Sequence, residues 1–128
     1  METYYKALVR FIYGFQRTHF DLLQLLVQLD GDEARYQQEV PSPEQFLALA
    51  AEAARMLQAL PLSRSERGTC DALVRELNML GGLNQRLVLA DFKAPQDDVA
   101  RAREACNKAQ HLLRQCRQIV AERASLSR

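Results

Sequence analysis

One stretch near the start of the chain, Tyr4 to Leu29, leaves few folds open. It reads YYKALVRFIYGFQRTHFDLLQLLVQL and holds six of the nine aromatic residues: Tyr4, Tyr5, Phe11, Tyr13, Phe15 and Phe20. Leu8, Phe11, Ile12, Phe15, His19, Leu22, Leu23 and Leu26 recur at steps of three and four, which gathers them on one face of an α-helix. That face is too apolar to stand in water, so the remaining chain has to cover it. Arg10, Arg17, His19 and Asp21 interrupt the apolar run, which rules out a membrane span.

The cover is three further helices. The first helix should run from about Thr3 to about Leu29 and stop at Asp30-Gly31-Asp32, because glycine takes the left-handed conformation that a helix end favours. Gly14, inside it, costs about 1 kcal/mol against alanine and points to close approach of a neighbour or to a kink. Glu33 to Val40 is either a short helical turn or an ordered loop. Val40-Pro41-Ser42-Pro43 then blocks helix, since proline disfavours helical geometry in the residue before it.

The second helix opens with Ser42 as N-cap, Pro43 at its first position and Gln45 completing a capping box. Phe46, Leu49, Ala50, Ala53, Leu57 and Leu60 form its inner stripe, and Pro61 ends it. The third begins near Ser63 or Ser65, with Ser63 and Glu66 at capping-box spacing. Its stripe is Cys70, Leu73, Val74, Leu77, Leu80, Asn84, Leu87 and Val88. Gly81-Gly82 interrupts the stripe and predicts a bend or a break, since adjacent glycines together cost about 2 kcal/mol in a helix. After Ala94-Pro95 the fourth helix runs from about Gln96 to about Arg123, with Asp97 and Asp98 at the positive end of its dipole. Val99, Ala102, Cys106, Ala109, Leu113, Cys116 and Val120 form its inner stripe, and Ala124 to Arg128 should fray. The expected fold is therefore all-α: an antiparallel four-helix bundle, with a bend or break in the third helix near Gly81-Gly82.

Composition bounds the rest. A length of 128 residues fits a single domain, 1–128, and suffices for a core without staples. Hydrophobic residues at 48% and charged residues at 26% are ordinary for a soluble domain. No basic region leads into an uninterrupted apolar run with a small-residue cleavage site, so a cytoplasmic protein is expected. The three cysteines, Cys70, Cys106 and Cys116, are odd in number and widely spaced, which is no disulfide framework; they read as small buried hydrophobes.

Chemical motifs are scarce. The potential metal ligands His19, His111 and the three cysteines lack any HxxxH, ExxH or CxxC spacing, so no metal and no cofactor is expected. There is no GxSxG and no cysteine in a glycine-rich loop. Leu80 to Gln85 carries two glycines but lacks the lysine and flanking strand of a phosphate-binding loop. His19 lies on the apolar face and reads as a core or boundary histidine. Asn78, Asn84 and His19 are the only candidates for an inward polar site, so the chain is expected not to be an enzyme.

Two surfaces remain. Tyr4, Tyr5, Tyr13 and Phe20 fall partly off the inner stripe of the first helix, and exposed aromatics are enriched at protein interfaces. They are the expected binding residues for another protein or for a second copy of the chain. The fourth helix supplies the alternative. From residue 95 onward seven lysines and arginines face four acids, and Arg103, Arg114 and Arg117 lie along one outer face with Asn107 and Gln110. That face would suit an acidic partner, a phosphate or nucleic acid, although the overall net charge of +1 gives nucleic acid no support.

In size and helix plan the chain resembles small bacterial export chaperones of flagellar and type III secretion systems. Leu83 to Val88, LeuAsnGlnArgLeuVal, is similar to an asparagine-bearing helix in some of them. The resemblance implies a helical, chaperone-like protein-binding role and assigns no residue.

Overall fold

The computed structural model describes residues 3–36 and 41–126, with side chains to residue 123. Four helices follow one another: α1 (Tyr4–Asp30), α2 (Pro43–Gln58), α3 (Arg64–Leu89) and α4 (Gln96–Leu126). No strand occurs among the described residues. The capping chemistry sets the boundaries. The backbone N–H of Gln45 donates to Ser42 Oγ at 3.1 Å, and that of Ser42 donates to Gln45 Oε1 at 2.8 Å. Ser63 and Glu66 repeat the exchange at the start of α3, at 3.2 and 2.9 Å. Gly31, at φ 79°, closes α1 in the left-handed region. Of the ambiguous segment, Ala34–Tyr36 form a single 3-10 turn, and residues 37–40 lie outside the described ones.

The helices pack in the order α1, α4, α3, α2, with α2 returning to α1 over a shorter stretch. Contacts fix their directions. Cys70 meets Cys116 and Glu66 meets Arg123, so α3 and α4 are antiparallel. Arg67 donates to the carbonyls of Leu57 and Leu60 while Gly81 touches Phe46 and Leu47, so α2 and α3 are antiparallel too. By contrast, Gly14 lies beside Cys106 and Gln28 reaches Arg117, so α1 runs in the same sense as α4. The connection from α1 to α2 permits this. Its twelve residues, 31–42, can span about 40 Å when extended, more than the roughly 24 Å length of α2.

All seven residues of the α4 stripe are buried, as are Phe11, Phe15, Leu22, Leu23 and Leu26 of α1. Phe15 stacks against Phe46 with ring centroids 4.8 Å apart, which joins α1 to α2. Tyr36 is drawn into the same core from the 3-10 turn.

The glycine pair does not break α3, which is continuous from Arg64 to Leu89. Gly81 is buried, and a Cβ built there would overlap the Leu47 side chain and come within 3.3 Å of Phe46 Cδ1. The missing side chain lets α2 lie close. Gly14 differs: a Cβ there would sit 3.7 Å from Cys106 Cβ, an ordinary contact. Gly14→Ala is therefore expected to raise stability by up to about 1 kcal/mol. Gly81→Val should lower it by about 1–3 kcal/mol through overpacking. Urea unfolding midpoints read both; equal effects would mean that close approach is not what Gly81 supplies.

Candidate functional site

The outward face of α1 follows from the same periodicity as its core face. At about 100° per residue, Tyr5, Val9, Tyr13, Gln16, Phe20 and Val27 fall within one arc opposite Phe11, Leu22 and Thr18. Tyr5 is 73% exposed, Tyr13 68% and Phe20 55%. Val9 and Val27 are half-buried in the same stripe. These three are the exposed aromatics among the described residues, on the helix that also supplies Phe11 and Phe15 to the core.

Tyr4 separates from these three. It is half-buried, packs against the core and donates its hydroxyl proton to the Phe92 carbonyl at 2.9 Å. Phe92 and its neighbour Asp91 sit at φ 56° and 53°, a left-handed conformation that costs non-glycine residues about 1–2 kcal/mol each. Tyr4 thus helps to hold the tight turn between α3 and α4.

Of the basic residues of α4, Arg117 lies at the seam with α1, and Arg103 and Arg114 share its side of the helix. Arg103 and Arg117 are half-buried and Arg114 is exposed. Arg117 Nε donates to Gln28 Oε1 at 3.1 Å, and Gln28 Nε2 donates to the Arg117 carbonyl at 3.4 Å. Gln110 ties the same seam further up, donating to the Gly14 carbonyl at 3.0 Å and to Thr18 Oγ1 at 3.2 Å. Helical spacing places Lys6, Arg10 and Arg17 on the edge of α1 that Gln28 marks as facing α4. One flank of the aromatic stripe therefore has a cationic excess from both helices, its one α1 acid, Asp21, pairing with Arg17 at 3.5 Å. No pattern within either helix alone announces this.

A second concavity, an open cleft of about 550 Å³, lies between α3 and α4 and is lined by Glu76, Met79, Gly82, Arg86, Arg101 and Lys108 among others. Lys108 pairs with Glu104 at 3.2 Å across its rim. Its ionisable lining is Glu76, Glu104, Arg86, Arg101 and Lys108, with no thiol, hydroxyl or imidazole.

Of the candidate chemical groups, His19, Asn84 and the three cysteines are buried, whereas Asn78 lines the cleft. Among the described residues no group of three or more His, Cys, Asp or Glu is placed to hold a metal ion, and no helix is long and apolar enough to cross a membrane. His19 is buried, its Nε2 has no hydrogen-bond partner among the described residues, and burial lowers its pKa. Asn84 is buried on α3, and Asn78 is exposed at the cleft. Burial pushes the Cys106 thiol up to about 12. Cys116 donates to Cys70 across 3.7 Å, and that bond together with burial raises Cys116 as well. An unreactive core thiol should follow: at pH 8, Cys106 is expected to react with a disulfide reagent at least about 100-fold more slowly in the folded protein than in urea. Equal rates, resolved by mass spectrometry, would show Cys106 to be accessible.

No family model matches the chain, and no curated protein or solved structure matches it.

Proposed function

We propose that the chain is a non-enzymatic helical protein-binding module whose contact face is the outward side of α1. The observation that carries this is the exposure of Tyr5, Tyr13 and Phe20 on a helix whose other side is the core. Exposed aromatics supply large contact area at low entropic cost, which is why they anchor interfaces. A rigid helix face held by a bundle needs little ordering when a partner binds. An adaptor subunit or an export-chaperone-like protein is the concrete form.

Site-specific photo-crosslinking in the native host tests it. The photoreactive analogue p-benzoylphenylalanine is placed in turn at Tyr13 and Phe20, and at the exposed controls Asp71 and Gln115. Protein adducts are expected at the two α1 positions and not at the controls. Equal labelling at all four, or labelling at the controls alone, contradicts the proposal.

A further inference from the structure

We infer that the partner of this face is an amphipathic helix with an acidic edge, lying along the α1 stripe with its carboxylates toward α4. The inference rests on the module proposed above and adds the chemistry of its partner.

An aromatic side chain buries about 150–250 Å², so Tyr5, Tyr13 and Phe20 at their observed exposure offer roughly 300–500 Å² of apolar contact. A stable complex buries about 800 Å² per partner. The stripe is too small to hold a permanent partner alone, so the rest of the footprint falls on its flanks.

Along its α4-facing edge α1 carries Lys6, Arg10 and Arg17 against one acid, Asp21, which pairs with Arg17 at 3.5 Å. Across the seam stand Arg103, Arg114 and Arg117. Of the α4 acids, Glu104 belongs to the opposite side, where it pairs with Lys108 at the α3 cleft. Along α2, on the other flank, acid and base are mixed, Glu52 standing 2.6 Å from Arg55 and 3.8 Å from Arg35. The footprint is apolar in the middle and cationic on one side only. Its complement is a helix with an apolar stripe and carboxylates on one edge.

Tyr5 to Val27 covers about 33 Å at 1.5 Å per residue, which a partner helix of about 22 residues matches. A second copy fits less well. Antiparallel pairing of α1 with itself sets like edges against each other, which here brings cation against cation.

The test uses two labelled synthetic helices of about 22 residues with the same leucine stripe, one with glutamates along an edge and one with lysines. Fluorescence anisotropy at low salt against the whole protein is expected to show the glutamate helix binding at least about tenfold more tightly. Lys6→Glu with Arg10→Glu should narrow or invert that preference, and Tyr13→Ala with Phe20→Ala should weaken binding at least about tenfold. If both helices bind equally, the acidic partner is overturned while the α1 face stands. If the Tyr13 and Phe20 changes leave binding untouched, or neither helix binds, the face itself is overturned. Three controls cover other occupants. Polyglutamate without leucine, or a thymidine oligonucleotide, binding as tightly as the glutamate helix would replace this partner by a general polyanion. Flotation with phosphatidylglycerol vesicles that Tyr13→Ala abolishes would replace it by a membrane surface. A dimer in light scattering that Phe20→Ala dissociates would replace it by a second copy.

Discussion

Phe46→Ala is expected to cost about 3–5 kcal/mol. Phe46 is fully buried where three helices meet: its ring stacks on Phe15 of α1, and its Cδ1 lies against Gly81 of α3. Phe15 in turn packs on Phe11 at 5.8 Å between centroids, so the deletion removes one end of a row of three rings. The contact of α2 with α1 is short, so few other side chains can collapse into the space. Against a total stability of about 5–15 kcal/mol for a domain of this size, that is a large loss. Chemical denaturation measures it, and Phe46→Leu, which keeps most of the volume, should lose clearly less. A cost below about 1 kcal/mol for the alanine would mean that α2 is held by something other than this ring.

His19→Leu should have the largest effect in the other direction, a gain of about 1–3 kcal/mol, because it removes a buried nitrogen without a hydrogen-bond partner from an otherwise apolar face. The gain should grow on mild acidification. Burial holds the folded pKa of His19 below its ordinary 6.5, so the unfolded chain binds this proton more readily than the folded one. Stability from the neutral imidazole is complete above pH 6.5 and falls as the pH drops through and below that value. The wild type should therefore weaken between pH 6.5 and 5, where His19→Leu stays level. Carboxylate linkage occupies a different window. Glu66, held down to about 2 by Arg123 and the Ser63 cap, loses its contribution only as the pH falls below 4.5. Unfolding midpoints of both proteins across these pH values decide the matter. Parallel curves would show that His19 is not the titrating group.

The face of α1 changes meaning between chain and fold. From the sequence, Tyr4 is set with Tyr5, Tyr13 and Phe20 off the inner stripe, yet at about 100° per residue Tyr4 aligns with Leu8, Phe11 and Leu22, and the other three face away. Tyr4 is taken into the bundle by the Phe92 carbonyl, 88 residues away, whereas Tyr5 stays in solvent. At Gly81-Gly82 helix propensity, a local quantity, predicts a bend or a break. Contact with Phe46 and Leu47 offsets that local cost and keeps α3 whole. Arg103, Arg114 and Arg117 are legible as one face of α4, but Lys6, Arg10 and Arg17 carry no comparable signal until the two helices stand side by side.

By itself the chain of residues determined the all-α class, the starts of α2 and α3, the end of α1 at Gly31 and the buried stripe of α4. Each is set by a hydrogen bond or a periodicity reaching no more than four residues at a time. Tertiary structure alone decided that α1 lies in the same sense as α4, that the Tyr4 hydroxyl reaches the Phe92 carbonyl, and that an aromatic stripe acquires a cationic flank. Those features depend on which helices become neighbours, and that is settled by the fit of whole apolar faces and the reach of the 31–42 connection.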